Sequence, residues 1–173
     1  MKKIGRKLIL ILTLCFCLGA TVFAAQANAA GKVKNATVKK SGKYYIGYKK
    51  SGKKIRNKWG IVKKGSKTYT YYFDNKGRAY TGVRAIGNTP QNTKLYYFTA
   101  KGRLKQSKTK RLQDLSKPGK KYSVLKEYIS RIDKKVICSL AEGCGINPYQ
   151  YNNGFTIYVN QDKQIEYVFV DQN

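Results

Sequence analysis

The stretch YYFDNKGRAYTG, from Tyr71 to Gly82, places three aromatic residues before a polar turn and a short second run after it. The turn, Asp74-Asn75-Lys76-Gly77, suits a type I turn whose last residue is left-handed, since glycine takes positive φ at no steric cost. The stretch therefore predicts a β-hairpin.

Related stretches recur with a period of 25 residues. YYIGYKKSGKKIRN begins at Tyr44, YTYYFDNKGRAYTG at Tyr69 and KLYYFTAKGRLKQS at Lys94, and no insertion is needed to align Gly52, Gly77 and Gly102. Because one hairpin is marginal in water, such units must share a core. The period predicts a mainly β fold of stacked, solenoid-like hairpins. A single meandering sheet with accidental self-similarity is the alternative.

The N-terminus has the order of a secretory signal peptide. The basic MKKIGRK precedes an apolar run from Leu8 to Ala25 and the small residues Ala27-Asn28-Ala29. We predict cleavage after Ala29, so that residues 1–29 are removed and the protein is secreted without a membrane anchor. An uncleaved anchor is the alternative, because the run is close to spanning length.

Charge divides the remaining chain into two parts. Residues 31–113 contain 24 lysines and arginines against one acid, Asp74, a net charge of +23, whereas residues 114–173 contain 8 against 7 acids, a net of +1. We therefore predict hairpin repeats in residues 30–112 and a small α+β module in residues 113–173. In the module, Ser123 is predicted to cap a helix through Ile132, and residues 155–159 and 165–170 to form a hairpin.

Cys138 and Cys144 are predicted to form a disulfide, as an even pair in an exported chain indicates, with two reduced thiols as the alternative. A metal site is not expected, because histidine is absent and there is no second cysteine pair in the exported chain.

The pattern Tyr-Tyr-Phe-Asp-x-x-Gly, followed by Thr81-Gly82, resembles the cell-wall-binding repeats of Gram-positive surface proteins, which include choline-binding and glucan-binding repeats. The resemblance covers about residues 40 to 112 and implies stacked hairpins that anchor to a wall polymer or glucan. Such repeats usually carry tryptophans that cage choline by cation–π attraction. Those places hold Tyr45, Thr70, Leu95 and Val83, so most of the cage is missing.

A basic surface is the alternative means of binding. The 25-residue register aligns cations beside the turn glycines, and we call this set the basic ridge: Lys53, Lys76, Arg78, Lys101 and Arg103. We predict that the ridge holds an anionic, phosphate-bearing wall polymer, by analogy with nucleic acids, whose affinity for proteins is dominated by phosphate contacts with Lys and Arg. A solvated basic face is the alternative. Nucleic acid is a less favoured partner because the protein is exported. Additional aromatic contacts are predicted from Trp59, Tyr72 and Tyr97.

Catalysis is not expected. Without histidine, a Ser-His or Cys-His nucleophile pair cannot be built. Asp74 has no acidic neighbour in sequence and has a structural use in its turn. Glu127 and Glu142 are candidates for a pair of carboxylates, but nothing in the sequence brings them together. We predict a non-catalytic wall-associated protein without a cofactor. The alternative is a recognition protein whose C-terminal module binds the ligand. The sequence indicates no oligomeric state.

Overall fold

A computed structural model describes residues 31–140 and 147–171. The predicted mainly β fold is confirmed, with ten strands and two helices in these ranges. The strands of the N-terminal part are β1 (Thr37–Ser41), β2 (Tyr44–Tyr48), β3 (Lys58–Lys64), β4 (Lys67–Phe73), β5 (Gly82–Ile86) and β6 (Lys94–Phe98). They are followed by α1 (Gln106–Leu115), α2 (Tyr122–Ile132), β7 (Cys138–Leu140), β8 (Asn147–Tyr151), β9 (Phe155–Val159) and β10 (Ile165–Val170).

Three small antiparallel sheets are formed by β1 with β2, β3 with β4, and β5 with β6. The fourth sheet has the strand order β10-β9-β8-β7. Its β9–β10 hairpin has the predicted bounds, which confirms that prediction. The predicted signal peptide, residues 1–29, lies outside the described residues. Within the described part, no helix is both long and apolar enough to cross a membrane.

The three aligned glycines have the predicted backbone conformation. Their φ angles are 79°, 81° and 74° for Gly52, Gly77 and Gly102. In each turn the glycine N–H donates to the carbonyl three residues earlier, at 3.0, 3.0 and 2.8 Å. The 25-residue period therefore corresponds to three equivalent turns.

The hairpins, however, do not close at these glycine turns, and that prediction was wrong. β1 and β2 are joined around Gly42, β3 and β4 around Gly65, and β5 and β6 through residues 87–93. After each glycine turn only one residue pairs back, as Ala79 does with Phe73.

The segments after Gly77 and Gly102 instead form backbone hydrogen bonds with the preceding unit. The Ala79 N–H donates to the Tyr45 carbonyl at 2.7 Å, and the Leu104 N–H donates to the Thr70 carbonyl at 2.8 Å. The two donors, Ala79 and Leu104, are 25 residues apart, and so are the two acceptors, Tyr45 and Thr70; equivalent hydrogen bonds therefore link consecutive units. Whether the units continue as a solenoid stays a prediction.

Two buried clusters hold the fold together. The smaller one contains Ala36, Ile55, Tyr71 and Phe73. The larger one joins β5 and β6 to both helices and the C-terminal sheet, through residues that include Val83, Leu95, Leu112, Leu125 and Ile157. Burial of these apolar surfaces is the main favourable term in folding.

The helical part differs from the sequence prediction in two respects. Helix α1 was not predicted, and the predicted boundary between residues 112 and 113 falls inside it. Helix α2 confirms the predicted helix, but Ser123 is not its cap: Lys121 holds that position, without a side-chain hydrogen bond. The burial of Tyr122 explains the earlier start, because it gives the helix another core residue. Whether residues 113–173 form a separate module stays a prediction.

Candidate functional site

The basic ridge contains three exposed lysines and two half-buried arginines. Lys53, Lys76 and Lys101 are exposed, whereas Arg78 and Arg103 are partly covered. Arg78 and Arg103 follow equivalent glycines and occupy equivalent surroundings, because each lies over a tyrosine of the preceding unit. The Arg78 guanidinium carbon is 5.0 Å from the centre of the Tyr44 ring, and that of Arg103 is 3.9 Å from the centre of the Tyr69 ring.

Asp74 distinguishes the two arginine sites. Its carboxylate accepts hydrogen bonds from the Arg78 Nε at 2.7 Å and from the backbone N–H groups of Lys76 and Arg78 at 2.9 and 2.8 Å. The predicted structural use of Asp74 in the turn is therefore confirmed. The hydrogen bond from Arg78 to Asp74 is also the main reason why the pKa of Arg78 is raised.

Thr99 occupies the place of Asp74 in the next unit. Its Oγ1 accepts the Arg103 backbone N–H at 3.1 Å, so the turn is kept without a negative charge. The Arg103 Nε donates instead to the Tyr71 hydroxyl at 3.3 Å, which raises the pKa of Arg103. Arg103 is consequently a cation whose neighbours are aromatic rings and a hydroxyl, whereas Arg78 is partly neutralised.

A group of aromatic rings lies between the second and third hairpins, and we call Trp59, Tyr72, Tyr80, Tyr96 and Phe98 the aromatic cluster. Trp59 is the cross-strand partner of Tyr72, and its ring centre is 5.1 Å from that of Tyr72 and 5.1 Å from that of Tyr96. Tyr72 in turn lies 5.2 Å from Tyr80. All except Phe98 are partly exposed. The cluster is therefore an accessible aromatic surface.

Of the three residues predicted to make aromatic contacts, Trp59 and Tyr72 lie in this cluster, whereas Tyr97 lies outside it. Side chains alternate along β6, so Tyr96 faces the cluster while Tyr97 faces the helical side. There the Tyr97 N–H donates to Thr109 Oγ1 at 3.1 Å, and Lys108 lies 4.3 Å from the Tyr97 ring centre. Sequence reasoning missed Tyr80 and Tyr96. The available signal was the two-residue spacing of Tyr96 and Phe98, which places both side chains on the same face of a strand.

Burial raises the pKa of the phenol groups of the cluster above a value at which they are already neutral at pH 7. Desolvation, followed by repulsion from Tyr80 and Tyr96, raises the pKa of Tyr72 to about 12. Burial also raises the pKa of Tyr80 and of Tyr96. The tyrosines therefore carry no negative charge near neutral pH that would repel an anionic ligand.

The predicted disulfide and the paired carboxylates cannot be compared with this geometry, because Cys144 and Glu142 lie outside the described residues. Cys138 is half-buried, with its Sγ 3.2 Å from the Tyr122 hydroxyl. Glu127 is exposed on α2. Across residues 31–140 and 147–171, no three His, Cys, Asp or Glu side chains are grouped closely enough to hold a metal ion.

Comparison with known proteins adds no family to this description. No protein-family model matches the chain, and no curated protein matches it significantly. The fold and surface define a small, mainly β protein with equivalent arginine–tyrosine sites and a neighbouring aromatic cluster.

Proposed function

We propose that this is an exported, non-catalytic protein of the cell-wall-binding repeat type, which associates with an anionic polymer of a Gram-positive wall. Teichoic acid is the favoured polymer, with peptidoglycan or a glucan as the other candidates. The hairpins stack as a solenoid-like array and present the basic ridge to the polymer. The observation that carries the proposal is the equivalence of the Arg78–Tyr44 and Arg103–Tyr69 sites, because a repeated cation suits a ligand with repeated anions.

The charge distribution supports the same ligand class. Residues 31–113 have a net charge of +23 with Asp74 as their one acid, and Asp74 is engaged in its turn. A field of that sign concentrates polyanions near the surface. Binding of a polyanion releases its counterions, so affinity falls steeply as salt rises. The proposal therefore predicts strongly salt-dependent association.

Repetition of the sites supplies affinity beyond that of one contact. When one phosphate is bound, the next is held nearby by the same polymer chain, and the second contact becomes intramolecular. Arginine suits each contact because its planar group can donate two parallel hydrogen bonds to one phosphate. We expect Arg103 to contribute more than Arg78, since no carboxylate competes for it.

The test is titration of the purified exported protein with poly(glycerol phosphate) at several salt concentrations. The wild-type affinity should fall steeply with salt, and Arg103→Gln should reduce the slope of log K against log salt by about one, as loss of one phosphate contact does. Arg78→Gln should have a smaller effect. Lys126→Gln, an exposed change on α2, is the matched control and should change neither affinity nor slope. Salt-independent retention on walls would contradict the proposal.

A second candidate function places ligand recognition in the C-terminal part, with the hairpins as a scaffold. It is favoured by a groove of about 560 Å³ between α1 and β10, lined by residues that include Lys94, Gln113 and Tyr167. In that case wall retention would survive Arg103→Gln, and a change in the groove such as Gln113→Ala would remove ligand binding.

A further inference from the structure

Arg84 is a partly buried cation without a carboxylate partner. It lies on β5 opposite Tyr96, and its guanidinium carbon is 5.3 Å from the centre of the Tyr80 ring. The ion pairs of the described residues involve Arg78, Lys110 and Lys117, and none involves Arg84. A cation in such surroundings is normally paired, because removal from water is costly.

Within the described part of the chain, the Arg84 side chain has one hydrogen-bond partner. A guanidinium carries five N–H donors. One Nη1 donor binds the Asn153 carbonyl at 2.8 Å, while the buried Nε has no partner among the described residues. The nearby Asp133 carboxylate already accepts the Val83 N–H at 2.8 Å. Burial lowers the pKa of Arg84, while Tyr80, Asp133 and Asp74 act in the opposite direction without forming an ion pair with it.

The neighbouring aromatic cluster supplies neutral groups around this cation. Rings of Trp59, Tyr72, Tyr80 and Tyr96 offer apolar faces for the C–H groups of a sugar, while phenol and indole groups can hydrogen-bond its hydroxyls. A few polar groups among apolar surfaces are the usual composition of a ligand site. An arginine without an ion pair, beside neutral rings and phenol groups, matches a ligand that carries a single negative charge and several hydroxyls.

We propose that Arg84 and the aromatic cluster form a subsite for a carboxylate-bearing sugar of an extracellular polysaccharide. The carboxylate accepts hydrogen bonds from the terminal Nη groups of Arg84, because the Nε is buried, and the sugar ring lies against the aromatic side chains. This subsite rests on the proposed function, because it names a sugar class for a surface beside the basic ridge. A glycerol-phosphate chain lacks the sugar ring, so it would use the ridge and leave this subsite empty.

The test uses a hyaluronan tetrasaccharide, which contains glucuronate, and the same tetrasaccharide with its carboxyl groups reduced to alcohols. Trp59, the single tryptophan of the chain, reports binding through its fluorescence. At physiological salt the exported protein should bind the acidic form at least tenfold more tightly than the reduced form. Arg84→Gln should remove that preference, and Lys126→Gln, which removes one exposed positive charge on α2, should keep it. Thermal unfolding of each variant confirms that it is folded.

Equal binding of both tetrasaccharides to the wild-type protein would overturn the subsite without recourse to any variant, as would an unchanged preference in Arg84→Gln. Poly(glycerol phosphate) titrations of the same proteins separate the two proposals. If salt-dependent polymer binding persists while the sugar preference is absent, the subsite fails and the proposed function stands. If the sugar preference is present without polymer binding, the basic ridge has no role in binding and the subsite stands.

Discussion

Among single residues, Phe73 shows how closely the backbone of the repeat region packs around one buried aromatic ring. The ring is fully buried and lies between Gly47 on β2 and Gly60 on β3. A Cβ added at Gly47 would overlap the ring, and one at Gly60 would lie 2.7 Å from it. The glycines therefore allow two neighbouring hairpins to approach one aromatic side chain closely.

We predict that Gly47→Ala lowers the free energy of unfolding by about 1–3 kcal/mol, because overpacking forces the Phe73 ring or the backbone to move. Urea denaturation provides the measurement. Gly31→Ala is the control, since a Cβ there meets no atom within 4 Å. In the double variant Gly47→Ala/Phe73→Leu, the two costs should be less than additive. Full additivity would show that the two residues do not interact.

At the scale of elements, one junction connects the hairpins to the helical part. Asp133 follows the end of α2 and accepts the Val83 N–H of β5, while the Asn153 side chain donates to the Val83 carbonyl at 3.0 Å. Helix α1 adds a second contact, because Gln113 Nε2 donates to the Leu95 carbonyl at 3.1 Å. β5 and β6 are thus covered on one side by polar and apolar contacts from later elements.

Asp133→Ala should destabilise the protein by about 1–3 kcal/mol, because it leaves the Val83 N–H without its acceptor in a partly buried place. Asp133→Asn should cost less, since its amide oxygen can still accept that hydrogen bond. Thermal unfolding measures both, with Asp162→Ala, in an exposed turn, as the control. If Asp133→Ala and Asp162→Ala melt alike, the junction does not contribute to stability.

At the scale of the whole molecule, the two buried clusters determine which parts depend on each other. The smaller cluster is confined to the first two hairpins and the segments beside them, whereas the larger one combines the third hairpin with the C-terminal helices and sheet. The third hairpin therefore depends on buried residues that follow it in the chain, from Leu112 to Val168. Charge divides the chain near residue 113, but burial does not.

Removal of residues 112–173 should unfold the third hairpin, because Val83 and Leu95 lose the side chains that cover them. Hydrogen exchange should show lost protection in β5 and β6 and retained protection in β3 and β4. Truncation after residue 140 is a comparison that keeps both helices and should preserve part of the protection of β6. Unchanged protection of β5 and β6 after the first truncation would establish residues 113–173 as an independent module.

The features predicted correctly from the sequence are those that depend on local backbone chemistry. Gly52, Gly77 and Gly102 have the predicted left-handed conformation, Asp74 closes its turn, and the β9–β10 hairpin has the predicted bounds. Each follows from φ preferences or from alternation within a few residues. The repeat period likewise located three equivalent turns.

The pairing of the segments around those turns, by contrast, depends on contacts between residues that are distant in the chain. The residues after Gly77 and Gly102 form hydrogen bonds with the preceding unit, α1 covers Tyr97, and Arg84 is brought beside Tyr80 and Asn153. Helix α1 is polar in sequence and buries only Thr109 and Leu112, so its sequence shows only a weak helical periodicity of apolar residues. These contacts join residues distant in the chain, and their formation depends on the total surface buried and on backbone groups finding partners, which local preferences do not specify.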